Sequence, residues 1–383
     1  MKIVVAIDSL KGSLSSLEAG EAIRNGIQRA IPEAIVAVHP VADGGEGTVE
    51  ALVSGFGGEL IRTRVSGPLG DPINSTYGIL PQTKTAVIEM ACTAGLTLLC
   101  ERKKNPLHTT TRGVGELICD AIKRGCRRFI VGLGGSATND GGIGMLQALG
   151  YGLLDSSGKK VRGGGLGLST LAEIRTEQVL PELNDCTFRI ACDVRNPLCG
   201  ESGCSVVFAP QKGASREMIQ DMDRWMAQYA DLVRQWSPNA ERSDPDYPGT
   251  GAAGGLGYAF RAFMKADLEP GIEIVLDEAH LDDALIGADI VVTGEGRLDG
   301  QTVMGKAPIG VARRAKRYGA KVIAFAGSVG SGAEDCNREG IDAFFPILQE
   351  IVTLQTAMES KQARCNMERS AEQVFRLIRT LGL

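Results

Sequence analysis

Ile3-Val4-Val5-Ala6-Ile7-Asp8-Ser9-Leu10-Lys11-Gly12-Ser13-Leu14-Ser15 reads as a strand, a polar turn and the approach to a helix. Ile3 to Ile7 are all apolar, as suits a strand covered on both faces. Ala19, Ile23, Ile27 and Ala30 then recur at helical spacing and share one face. Ser15 and Glu18 have the spacing of a capping box before that run, and Pro32 closes it. A second apolar run, Ile35 to Val38, and a helical start at Thr48 complete a βαβα opening, which predicts an α/β fold.

Working outward, three acidic stretches set in glycine punctuate the chain: Asp43-Gly44-Gly45-Glu46-Gly47, Gly134-Gly135-Ser136-Ala137-Thr138-Asn139-Asp140-Gly141-Gly142, and Gly294-Glu295-Gly296-Arg297-Leu298-Asp299-Gly300. Each follows an apolar run, so each is expected as a turn at the carboxyl end of a strand, where open α/β sheets bind ligands. Glycine lets backbone amides approach phosphate closely, and Mg²⁺ needs one or two carboxylates beside those phosphates. The combination points to phosphoryl transfer.

At 383 residues the chain exceeds what one core usually supports, so two domains are expected. Its 50 glycines, about 13% against a usual share of roughly 7%, sit in discrete turns and favour a loop-rich globular protein over disorder. A net charge of −5 without a Lys/Arg block argues against a nucleic-acid partner. The ten cysteines lack paired C-x-x-C spacing, and only three histidines accompany them, so a zinc cluster is not expected. With no secretory leader and no apolar run near the roughly 20 residues of a membrane helix, the expectation is a cytoplasmic protein with reduced thiols and no membrane partner.

The style changes near residue 60. Leu60 to Val65, Ser75 to Leu80 and Ala86 to Met90 are short strand-like runs without intervening helices, which means antiparallel pairing. A helix from about Gly113 to Lys123, strand Phe129 to Leu133 and helix Ile143 to Leu149 follow. Two further strands are read at Phe188 to Cys192 and Ser205 to Phe208. The helix from Arg216 to about Gln235 carries Met218, Met222, Trp225, Met226 and Tyr229 as core packing. Ser237 to Gly257 reads as a surface loop, and its Gly249 to Gly255 segment follows no strand, as a dinucleotide fingerprint would have to. Alternation resumes with strand Ile290 to Thr293, helix Pro308 to Tyr318, strands Val322 to Ala326 and Ala343 to Pro346, and a helix from about Ser370 to Leu381.

Asp8 to Ser13 joins the first strand to the first helix, so amides and hydroxyls there can face an anion, with Lys11 adding a mobile charge. Helix capping by Ser13 or Ser15 beside a solvated Lys11 accounts for the same residues. Asp43 and Glu46 lie too close for two carboxylates unless a cation or a Lys answers them. Gly300 to Lys306 has P-loop spacing, yet Ala307 stands where Ser or Thr should bind Mg²⁺ and the strand is read as ending too early. Lys306 is kept only as a phosphate contact. Asp193 could take a substrate hydroxyl's proton, or with Asn196 could shape the turn before Pro197. His39, His108 and His280 read as structural.

These motifs, in order along essentially the whole chain, resemble the bacterial glycerate kinases: Ile7 to Ser15, Pro40 to Thr48, Gly132 to Gly142, and Thr293 through Asp299 to Lys306. Ile7 and Leu10 depart from the Pro and Phe of many relatives and leave Asp8, Ser9 and Lys11 in place. The resemblance implies ATP-dependent phosphorylation of D-glycerate with Mg²⁺. It also implies a flavodoxin-like, Rossmann-like parallel-sheet domain made from both chain ends, 1–60 and 286–383, with a mixed α/β domain, 61–285, inserted. The bacterial members generally use the 2-hydroxyl, so 2-phosphoglycerate is the expected product, with 3-phosphoglycerate left open. Homo-oligomers are compatible with this reading.

On this basis Lys11 and Asp193 are the expected catalytic residues, Asp193 as general base. Ser9, Gly134, Gly135, Ser136, Thr138, Asn139, Gly294 and Lys306 would hold phosphate or substrate, and Asp43, Glu46 and Asp299 the metal, in a cleft between domains. Two rival classes stay in view. A non-catalytic sensor would not need clustered carboxylates and lysines, and a nicotinamide-dependent dehydrogenase would need a strand-Gly-x-Gly-x-x-Gly-helix unit that opens neither domain.

Overall fold

The computed structural model describes residues 1–42, 47–237 and 241–382. The chain forms two compact units, Met1–Asp43 with Glu50–Gly57 and Ile272–Leu383, and Gly44–Val49 with Gly58–Gly271. Residues 272–285, assigned to the insert from sequence, lie in the first unit. Side-chain contacts hold them there: Arg314 bonds to Glu273 and Asp277, and a Cβ on Gly310 would meet Ile272 at 2.5 Å.

The first unit is built on five parallel strands in the order Ile35–Val38, Lys2–Val5, Ile290–Leu298, Lys321–Val329, Ala343–Pro346. Counted along the chain this is 2-1-3-4-5, the flavodoxin-like arrangement. The helix Ser16–Ala30 forms where its periodicity predicts, and its capping box is closed: Ser15 N–H donates to Glu18 Oε2 at 2.9 Å, and Glu18 N–H donates to Ser15 Oγ at 3.3 Å. The donations from the Ser15 N–H and the Ser15 hydroxyl hold the Glu18 carboxyl below its ordinary pKa. Ile23 and Ile27 are fully buried and share a core with Ile3, Val5, Met367 and Phe375. Gly26 allows the closest approach to the C-terminal helix, because a Cβ there would stand 2.3 Å from Glu368 O.

The second unit holds a six-stranded mixed sheet, in order Glu59–Ser66, Pro72–Leu80, Thr85–Glu89, Arg128–Gly132, Thr187–Ala191, Asp267–Glu269. The first three strands pair antiparallel and the rest parallel. Helix Arg112–Lys123 and the start of Ile143–Ala148 are packed into one apolar core with Phe129, Phe188, Met226 and Phe260. All ten cysteines are free thiols.

Several local readings need correction. Ser205 to Phe208 belongs to a helix, Cys204–Phe208, with Val206 and Val207 exposed rather than in a buried strand. The C-terminal helix starts at Ser360, because Ala363 and Met367 bury one side of a segment whose polar residues mask it. Ser237 to Gly257 is not a surface loop throughout, since Thr250 to Gly257 is buried. The third acidic stretch is not a turn: the strand runs through to Leu298 and pairs with Lys321–Val329 as far as Leu298↔Val329. Glycine is needed at 294 because a Cβ would stand 1.8 Å from Phe325 O. Leu298 thus ends the strand two residues before Gly300, closer than the sequence reading allowed, whereas Ala307 still removes the P-loop hydroxyl.

Candidate active site

In the first unit, the switch point of the sheet lies between Lys2–Val5 and Ile290–Leu298, and the residues just beyond or at the carboxyl ends of those strands line a cavity of about 480 Å³. Asp8, Ser9, Lys11, Glu295, Asp299 and Lys306 all face it. Asp8 is 4% exposed. Its backbone N–H donates to Gly294 O at 3.0 Å, which ties the turn to the neighbouring strand, and its Oδ1 accepts Ser9 N–H at 2.6 Å.

Glu295 is also buried. Its Oε1 accepts the buried Thr302 hydroxyl at 2.6 Å, and Lys306 Nζ stands 3.8 Å from Oε2. Asp299 Oδ1 accepts Gln301 N–H at 2.9 Å, and its other oxygen pairs with Arg297 at 3.2 Å. The cavity therefore combines cations for phosphate with carboxylates for a hard metal. Among the described residues no group of three His, Cys, Asp or Glu side chains is arranged to hold a metal ion alone. Mg²⁺ carried by a nucleotide needs only one or two carboxylates, the remaining ligands being phosphate oxygens and water. Acceptor-only oxygens of Asp8, Glu295 and Asp299 fit that need.

Of the residues singled out from the sequence, Ser9, Lys11, Asp299 and Lys306 line this one cavity. Gly294 acts behind the cavity through its close approach to Phe325. Asp43 and Glu46 lie outside the described residues. Asp8 and Glu295 also line the cavity and were not singled out from the sequence, although both stand in the quoted motifs.

In the second unit a cavity of about 330 Å³ is lined by Gly134, Gly135, Ser136 and Asp193, and by Lys212, which sequence reading passed over. Gly135 needs its left-handed backbone, with φ +71°. Lys212 is only 2% exposed and donates to Ser136 Oγ at 2.9 Å and Thr138 O at 2.6 Å; burial lowers its pKa to about 8. Asp193 Oδ1 accepts Gly271 N–H at 3.0 Å, and Asn196 donates to Ser202 O, a turn-shaping contact.

Thr138 and Asn139 do not line this cavity. Both are fully buried, Asn139 donating to Ser205 Oγ at 2.9 Å. Asp140 is a buried staple whose oxygens accept from Thr111, Gly142 and Gly144, while burial pushes its carboxyl pKa up. The loop meets the Gly249 to Gly255 segment, which reads from sequence as part of a surface loop: Gly141 N–H donates to Gly254 O at 2.9 Å, and a Cβ on Gly254 would lie 2.2 Å from Thr138 O.

A doubly wound sheet with lysines and carboxylates at its switch point belongs to the α/β proteins that handle small phosphorylated ligands. Within that class, residues 3–379 match the model of the glycerate kinase family. The glycerate kinase of Bacillus subtilis (strain 168) is 47% identical, covering 100% of both chains, and the glycerate 2-kinase of Escherichia coli (strain K12) is 47% identical over 93% of each. A crystal structure described as that of a "putative glycerate kinase 2" from Salmonella typhimurium LT2 superposes with a TM-score of 0.91 at 46% identity, covering 99% of this chain and 98% of that one. The chain belongs to the glycerate kinase family and is a kinase. No helix among the described residues is long and apolar enough to cross a membrane.

Proposed function

We propose that this chain transfers the γ-phosphoryl group of ATP to the 2-hydroxyl of D-glycerate, in the cytoplasm, with Mg²⁺ accompanying the nucleotide. The observation that carries the reading is the grouping of Lys11 and Lys306 with Asp8, Glu295 and Asp299 at the switch point of the sheet, in a chain whose relatives are named glycerate kinase and glycerate 2-kinase. Phosphoryl transfer depends chiefly on positioning and charge stabilisation, which such a set supplies.

Lys11 and Lys306 would neutralise charge on the phosphate chain. Ser9 would add a hydroxyl donor. Asp299, with Asp43 and Glu46 as further candidates, would hold Mg²⁺, whose chemistry when bound is to offset charge on the phosphate oxygens. In the second unit, Gly134, Gly135 and Ser136 would bind the acceptor, and Asp193 would take the proton of its hydroxyl.

A coupled ADP-release assay across small hydroxy acids tests the reading. Turnover with D-glycerate is the expected result, and ATP binding without turnover on any acid would support a sensor instead. Phosphorus NMR of the product then distinguishes 2-phosphoglycerate from 3-phosphoglycerate.

A further inference from the structure

Lys212 stands in the segment Pro210-Gln211-Lys212-Gly213, yet it is among the largest fully buried side chains of the protein. Its ammonium has three protons to donate. Two go to neutral oxygens, Ser136 Oγ and Thr138 O, and among the described residues no carboxylate pairs with it. The titratable groups that reach it are Asp140, already held by donors from Thr111, Gly142 and Gly144, and Cys204, whose thiol burial pushes up to about 12 and so keeps neutral. Asp193 lines the same cavity with one oxygen held by Gly271.

A buried cation answered only by neutral oxygens is unfavourable until an anion joins it. The same cavity offers further donors, because the backbone amides of Gly134 and Gly135 bond to no described backbone acceptor. Its walls include Leu96, Leu133, Phe208 and Ala252, and its volume of about 330 Å³ suits a short carbon skeleton better than a nucleotide. The first unit's cavity is the larger of the two, at about 480 Å³.

We propose that Lys212 binds the carboxylate of the acceptor hydroxy acid, with the Gly134 and Gly135 amides beside it, and so sets the enzyme's preference for an acid over a neutral polyol. The proposal rests on the kinase reading above and names the group that selects its acceptor.

The test compares wild type with Lys212→Met and Lys212→Arg, by steady-state kinetics and by calorimetric titration of D-glycerate. Lys212→Met should raise KM for D-glycerate about 10- to 100-fold, the loss expected for a charge-assisted bond, with KM for ATP within about twofold of wild type. It should also narrow the preference for D-glycerate over glycerol, which carries a hydroxymethyl group in place of the carboxylate. In wild type, D-glycerate affinity should fall as pH rises through about 8, where Lys212 loses its proton, and Lys212→Met should lack that fall.

An unchanged KM for D-glycerate, a flat wild-type pH profile, or a KM for ATP that rises in step would each overturn the proposal, the last by assigning the cation to a phosphate. Should Lys212→Met not fold, the wild-type pH profile and Lys212→Arg, expected to retain the acid preference, decide it. Failure of the kinase reading looks different: wild type would release no ADP with any acid, while the calorimetric comparison would still report on Lys212.

Discussion

In the first unit's cavity, each mapped cation of the switch-point pairs has a carboxylate within 4 Å and sits partly in water: Lys306 beside Glu295, Arg297 beside Asp299. In the second, Lys212 is buried and meets only neutral oxygens. The first arrangement is already close to neutral, so its cations can exchange a carboxylate for a phosphate at little cost. The second holds a buried charge in a fixed frame with no carboxylate paired to it, at the expense of stability, and an anionic ligand would relieve it. One cavity suits a phosphorylated ligand that arrives with its own metal, the other a ligand recognised by its charge.

The largest expected effect would break this division of labour. Asp193→Asn keeps the acceptor for Gly271 N–H while removing the proposed base, so kcat should fall by about 10²- to 10⁴-fold with KM for D-glycerate little changed. Lys306→Met should lower kcat by about 10²-fold or more through lost charge stabilisation, and its loss should appear with every acceptor acid. If Lys306→Met instead altered only acceptor preference, the assignment of nucleotide to the first cavity and acid to the second would be reversed. Pre-steady-state mixing with ATP and D-glycerate separates the two cases.

The comparison also marks what was legible in the sequence. Strand and helix periodicity gave the βαβα opening, the antiparallel run after residue 60 and the glycine loop at 134–142, because those signals are local. Ile290–Leu298 was cut short since Gly294 and Gly296 look like turn residues when their strand partner is not known; it is Phe325 O that excludes a side chain at 294. Lys212 was missed for a similar reason. Its burial is decided by Ser136 and Thr138, 76 and 74 residues earlier, and Pro-Gln-Lys-Gly has the composition of an exposed turn. Ala253 to Gly255 likewise reads as loop, although it packs under the Thr138 carbonyl. Contacts, rather than propensity, define both cavities.

A smaller effect sharpens the contrast through stability. Removing the buried charge by Lys212→Met should stabilise the protein at neutral pH, whereas Lys306→Met should leave stability nearly unchanged. The sign follows from proton linkage. Burial lowers the native pKa of Lys212 to about 8 from its ordinary 10.5, so between those values the unfolded chain binds the extra proton and stability rises with pH. The advantage of Lys212→Met should therefore shrink across pH 8 to 10.5, by on the order of 3 kcal/mol. Urea denaturation of both proteins at pH 7 and pH 10 measures it; an advantage constant with pH would mean that packing, not charge, made the difference.

The smallest effect is expected at Arg297, whose side chain is 66% exposed while Asp299 is 21% exposed. An ion pair that open to solvent contributes about 0–1 kcal/mol, so Arg297→Gln should move the denaturation midpoint very little. Asp299 keeps its bond from Gln301 N–H in that variant, and its carboxylate stays in position with one neighbouring cation fewer. Any metal held there should then bind slightly tighter, and the Mg²⁺ concentration for half-maximal turnover should fall rather than rise. A rise would mean that Arg297 itself contacts the phosphate chain, and that the first cavity's cations are not interchangeable counter-charges but placed individually, as Lys212 is in the second.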